Sequence, residues 1–153
     1  MATRIKKTQR RCLSWFGSDC TVAEQYAALL TDCKHVTVPF CGGLSIVAHL
    51  VQTAREVVCN DKHRLAMNFY SVLAQPDLRN ELLERLSVTP FHADLLAESQ
   101  AMCKDWRGDS WINVEFAYRY FLTCWMGRSG KSGTKSEFDG GLAMRWDSGG
   151  GSS

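Results

Sequence analysis

The stretch Val36-Thr-Val-Pro-Phe-Cys-Gly-Gly-Leu-Ser45 decides how the chain reads. Val36 to Val38 is β-branched and alternating, the pattern of a buried strand. Pro39 has no N–H to donate and ends the ladder. Gly42 and Gly43 permit a sharp turn, and Leu44, Val47, Ala48 and Val51 then recur at helical spacing. Strand, glycine turn and helix make the opening half of a nucleotide-binding βαβ unit.

Glu56-Val-Val-Cys-Asn-Asp61 supplies the other half, a short strand ending in an acid. Asp61 lies 19 positions after Gly42, and a Rossmann-type fold places a ribose-binding carboxylate about 20 residues after its glycines. The expectation is that the glycine turn and the Asp61 carboxylate face one crevice. There the glycines would admit a ligand close to the backbone, and the carboxylate would accept ribose hydroxyls. Nicotinamide, flavin and S-adenosylmethionine all remain open as ligands. Leu44 and Val47 occupy the second and third positions of a G-x-G-x-x-G pattern, which argues against a pyrophosphate. S-adenosylmethionine, which carries no phosphate, needs less bare backbone.

A chain of 153 residues suggests one domain or a piece of a larger one. Its 45% hydrophobic and 22% charged content is ordinary for a globular protein, and a net charge of +2 excludes little. The cations are unevenly placed. Arg4, Lys6, Lys7, Arg10 and Arg11 crowd the basic N-terminal residues 1–11, and Arg128, Lys131 and Lys135 lie in a glycine–serine segment. Either group suits phosphate contacts or plain solvation. Seven cysteines, an odd number without a C-x-x-C pair, read as free thiols in a reducing compartment. No apolar run is long enough to cross a bilayer, and the basic N-terminus lacks the apolar segment of a signal peptide. A cytoplasmic protein is expected.

Helices are predicted over 22–30 behind a Thr21/Glu24 capping box, and over 63–74 behind Asn60 or Asp61. Pro76 stops the second, and Asp77 opens another bearing Leu78, Leu82 and Leu86. Thr89-Pro90 reads as a cap and first turn of a helix reaching about Lys104. A fourth long helix spans 111–125, its Ile112, Phe116 and Tyr120 stripe serving as core. Beyond Met126 the composition turns to glycine and serine.

Some patterns fail on inspection. Gly130-Lys131-Ser132 resembles the end of a P-loop, but Trp125 stands where the first glycine belongs and a helix precedes it. His35, His49, His63 and His92 show no metal-ligand spacing, so no metal is expected. No G-x-S-x-G elbow is present.

Pro39-Phe40-Cys41-Gly42-Gly43 resembles the E-P-F-x-G-x-G motif of the Dam-type adenine-specific DNA methyltransferases. Asn60-Asp61 followed by Asn68-Phe69-Tyr70 is similar to their N-D-I-N-x-x-L-I-x-x-Y stretch. Leu13-Ser-Trp15-Phe-Gly17 is similar to their L-K-W-x-G-G-K. Ala117 to Phe121, with Met126-Gly-Arg128 and Glu137-Phe138, is similar to their R-F-x-Y-L-N-R region. The likeness is collinear over nearly the whole chain.

This resemblance implies an α/β fold. A partial Rossmann-like methyltransferase domain over 12–76, of parallel strands with crossover helices, would precede a helical target-recognition region over 77–147 and a Gly/Ser tail over 148–153. It implies S-adenosylmethionine as cofactor, with Trp15 and Phe40 packing on it, Pro39, Cys41 and Gly43 completing the motif around it, Gly42 making room and Asp61 holding the ribose. Double-stranded DNA would be the partner, with Arg128, Lys131 and Lys135 on its backbone. Val38 departs from the motif glutamate, Asp19 from a lysine and Leu44 from the second glycine. The family's D-P-P-Y tetrapeptide, which would receive an extruded adenine, is missing: Pro39, Pro76 and Pro90 are not adjacent. The expectation is an N-terminal fragment of a site-specific adenine methyltransferase, inactive by itself. A non-catalytic nucleic-acid-binding module and a Rossmann-type oxidoreductase fragment are the alternatives.

Overall fold

The computed structural model describes residues 12–18, 21–51, 54, 56–108, 112–128, 133 and 138–143. Among them the chain is mixed α/β, with six helices and one two-stranded parallel sheet. In chain order these are α1 (Ala23–Ala28), β1 (His35–Val38), α2 (Val47–Leu50), β2 (Glu56–Cys59), α3 (Arg64–Ala74), α4 (Pro76–Ser87), α5 (Ala93–Asp105) and α6 (Val114–Met126).

The strands pair in the register His35 with Glu56 through Val38 with Cys59. The ladder ends at Val38, before Pro39, as expected; beyond it Asn60 N–H donates to the Val38 carbonyl at 2.9 Å and Cys41 N–H to the Asn60 carbonyl at 2.9 Å. The expected buried strand is only half-buried. Val36, Val38, Val57 and Cys59 face inward without full cover, while His35, Thr37, Glu56 and Val58 are exposed. A parallel sheet is ordinarily covered on both faces, and here among the described residues only two strands form it. Phe40, Val51 and Val58 extend the exposed apolar surface around the strands.

The helix expected from Leu44 to Val51 shrinks to the single turn α2. Leu44 causes this, for its backbone is left-handed at φ 62°, a conformation closed to a helix interior. Its N–H closes a turn on the Cys41 carbonyl at 2.8 Å. The Thr21 capping box does not form either: α1 starts behind Val22 with no side-chain cap.

The core belongs to the helices. Leu65, Phe69 and Val72 of α3, Leu82 of α4, Cys103 of α5 and Ala117, Tyr120 and Cys124 of α6 close around Leu13 and Phe138. The core therefore runs unbroken across the position-76 boundary read from the sequence. Pro76 takes the first position of α4, where its missing N–H removes no helical bond. The helix expected at Thr89-Pro90 begins at Ala93, because Thr89 Oγ1 turns back to the Arg85 carbonyl at 2.6 Å and His92 Nδ1 caps Asp94 N–H at 3.2 Å. Likewise α6 begins at Val114 rather than 111, capped by Asn113 Oδ1 on Phe116 N–H at 3.1 Å. Arg85 bridges Glu81 and Glu115, and Arg119 bridges Glu115 and Glu98, tying α4, α5 and α6 together.

Candidate functional site

The turn after β1 and the acid after β2 meet. Gly42 N–H donates to Asp61 Oδ2 at 2.9 Å, and His63 N–H donates to Asp61 Oδ1 at 2.9 Å. One carboxylate thus fixes the glycine turn and the entry to α3 together. The Tyr70 hydroxyl, about two helical turns further along α3, donates to the Gly42 carbonyl. Burial pushes the Tyr70 hydroxyl far above the ordinary phenol range, with the neighbouring Cys41 adding to it, so it stays a donor.

Both glycine positions of the E-P-F-x-G-x-G likeness have left-handed backbone: Gly42 at φ 46° and Leu44 at φ 62°. Leu44 bears the conformation a glycine would take there, at a cost of about 1–2 kcal/mol for an ordinary residue. The room left by the glycines is filled by the chain itself. A Cβ on Gly42 would lie 3.2 Å from Trp15 Nε1, and one on Gly43 would lie 3.0 Å from Trp15 Cβ and 3.1 Å from the Leu13 carbonyl oxygen. Trp15, Gly42, Gly43 and Asp61 are thereby brought into one cluster. Pro39 and Phe40 stand outside it, Phe40 at 81% exposure. Cys41 is buried, and burial, reinforced by the nearby Asp61, pushes its thiol up to about 12; it is no nucleophile near neutral pH.

On the other side of Asp61 opens a cavity of about 520 Å³. Asn60, Asp61 and Lys62 come from the end of β2, Arg64, Met67, Asn68 and Ser71 from α3, and Trp106 and Gly108 from the loop after α5. This places it at the carboxyl ends of parallel strands, where open α/β sheets bind ligands. Asn68, 2% exposed, receives Asn113 N–H on Oδ1 at 2.7 Å and donates Nδ2–H to the Asn113 carbonyl at 2.9 Å. That pair holds the segment before α6 against α3. Gly108 has φ 78°, and a Cβ there would meet Arg64 Nη1 at 2.9 Å, so the guanidinium lies directly on its backbone. Trp106 leans on Phe116 with ring centroids 5.9 Å apart.

Against this geometry the comparisons are silent: no protein-family model matches the chain, and no curated protein or solved structure is detectably similar to it.

His63 bridges the cluster and the core. Its ring lies 5.7 Å from Trp15, 5.1 Å from Tyr120 and 6.2 Å from Phe138. Burial holds its pKa below the ordinary histidine value, opposed by the Asp61 charge and by a hydrogen bond with the Gly133 backbone. Of the residues read as DNA contacts, Arg128 is exposed at the end of α6, and Lys131 and Lys135 lie outside the described residues. Among the described residues no three His, Cys, Asp or Glu side chains gather as metal ligands, and no helix is long and apolar enough to cross a membrane. Lys62, Arg64 and Trp106 were not legible as site residues: each is a single polar or aromatic residue outside any motif. Asn68 and Tyr70 did stand in a quoted motif, which is the one signal that pointed to them.

Proposed function

We propose that the chain is the cofactor-holding part of an S-adenosylmethionine-dependent adenine-specific DNA methyltransferase, the first βαβ portion of a Rossmann-like domain. One observation carries this reading: Asp61 at once anchors the turn that has left-handed backbone at both motif glycine positions and lines the cavity at the strand ends. The residues fit the donor. About 520 Å³ lies within the roughly 300–1,000 Å³ of small-molecule sites, Trp106 offers an aromatic wall for an adenine, and Asn60 and Asp61 offer hydroxyl partners for a ribose.

The bound donor would supply an electrophilic methyl group. The chain's own residues would hold its adenosine, keep water from it and fix its direction, which is how positioning lowers a transfer barrier. No D-P-P-Y tetrapeptide occurs in these residues, so the acceptor amino group of a DNA adenine has no matching partner in them, and methyl transfer by this chain alone is not expected. Double-stranded DNA is the substrate that the resemblance implies, with Arg128, Lys131 and Lys135 on its backbone.

Calorimetric titration with S-adenosylmethionine tests the reading. One saturable site is expected, weakened at least about tenfold by Ser71→Phe, which fills the cavity from α3. Absence of binding, or binding indifferent to that filling, overturns it.

A further inference from the structure

Among the described Lys and Arg residues some are held in ion pairs and others, Lys62 and Arg64 at the cavity included, are not. Arg85 and Arg119 are each held by two carboxylates. Lys62 and Arg64 line the cavity, are exposed, and have no ion-pair partner among the described residues. The carboxylate beside them, Asp61, directs its two oxygens at the Gly42 and His63 amides. The Arg64 guanidinium lies against Gly108, at 2.9 Å from where a Cβ would stand.

Two cations lining one cavity suit an anionic ligand. Arginine suits phosphate best, since its planar donors engage two oxygens at once. The third wall is aromatic. Trp106 is half-buried, supported behind by Phe116, and lines the same space. A nucleotide is a small ligand that carries both a ring to lie against Trp106 and a phosphate for the two cations. The cations repel the sulfonium centre of the donor and can hold only its carboxylate, whereas a nucleotide phosphate engages both of them.

We infer that the cavity beside Asp61 is a nucleotide site, taking the base against Trp106 and the phosphate on Lys62 and Arg64. It deepens the donor reading by naming a phosphorylated competitor for the same adenosine pocket, and it rests on that reading only for the competition. The phosphate can belong to a free mononucleotide or to one unit of a single strand. The chemistry is the same, and the test separates the two.

The probes are adenosine 5′-monophosphate, adenosine, inorganic phosphate and a short single-stranded deoxyadenosine oligomer, titrated calorimetrically into the full chain. The monophosphate is expected to bind at one site, at least about tenfold tighter than adenosine or phosphate alone. Arg64→Gln, an exposed substitution that leaves the core intact, should remove the advantage over adenosine. Trp106→Ala should weaken the monophosphate and adenosine alike and leave phosphate unchanged; unaltered circular dichroism establishes that the variant is folded. An oligomer binding no tighter than the monophosphate identifies a free nucleotide, and a tighter one that Arg64→Gln weakens identifies a strand; both sustain the inference. A monophosphate that binds no better than phosphate, or affinity unmoved by Arg64→Gln, overturns it. The two readings fail separately: monophosphate binding without S-adenosylmethionine binding sinks the donor, and the reverse sinks the nucleotide.

Discussion

The helical block and the two-stranded sheet are held in different ways. In α3 and α6, Phe69 and Tyr120 are essentially without solvent contact, and aromatic pairs such as Phe69 with Phe121, 5.7 Å apart, fill the interior. In β1 and β2 no residue is fully buried. The strands are instead tied to the helices at their carboxyl ends, through Asp61 on Gly42, Tyr70 on the Gly42 carbonyl and Trp15 over both glycines. The sheet here supplies little core; it presents a turn and an acid to the helical block, and the candidate site is the seam between them.

The largest effect should come from attacking the side that carries the core. Phe69→Ala removes a ring that is 2% exposed and should cost about 3–5 kcal/mol in urea unfolding. Val36→Ala, at a half-buried strand position, should cost about 1 kcal/mol or less. Equal losses would erase the distinction between the two regions. Asn68→Ala falls between them. It leaves the Asn113 N–H without its partner, while the Asn113 carbonyl keeps the Ala117 N–H, and burying an unsatisfied polar group costs about 1–3 kcal/mol. A loss near 2 kcal/mol is expected from the same urea measurement. A neutral result would show that water replaces the Asn68 amide and that the segment before α6 is not held by it.

The same contrast explains what could be read in advance. Parallel pairing of Val36–Val38 with the Glu56 strand, and the meeting of Gly42 with Asp61, followed from β-branched runs and spacing. The long helices followed from apolar periodicity. The failures are local. Leu44 carries no mark of its left-handed backbone, because that conformation is imposed by the turn Asp61 and Tyr70 hold from far along the chain. Thr89-Pro90 has the chemistry of a cap, yet the Thr89 hydroxyl has a better acceptor at the end of α4. Strand burial was overestimated because β-branching reports compatibility with a sheet, and cover depends on how many elements lie on it. Trp106, Lys62 and Arg64 meet only through the packing of α3 against the loop after α5, and no spacing in the sequence announces such a meeting.

The seam itself can be titrated. His63 lies among Trp15, Tyr120 and Phe138 and next to Asp61, and burial outweighs the carboxylate so that its folded pKa is lowered from 6.5. The unfolded chain therefore takes up the proton first as the pH falls. The stability linked to His63 is fully present above 6.5 and is lost as the pH drops from there through the lowered folded value. His63→Phe keeps a ring in the aromatic pocket and removes the proton. Going from about pH 7.5 to about pH 5.5, the urea midpoint of the variant should rise relative to that of the parent chain. The carboxylates titrate in both proteins and cancel in the difference. This is the smallest of the expected effects, and its sign decides the matter. If the parent chain gains on acidification, the Asp61 charge outweighs burial at His63, and the seam is then an open, solvated contact between strand ends and helices, not a closed one.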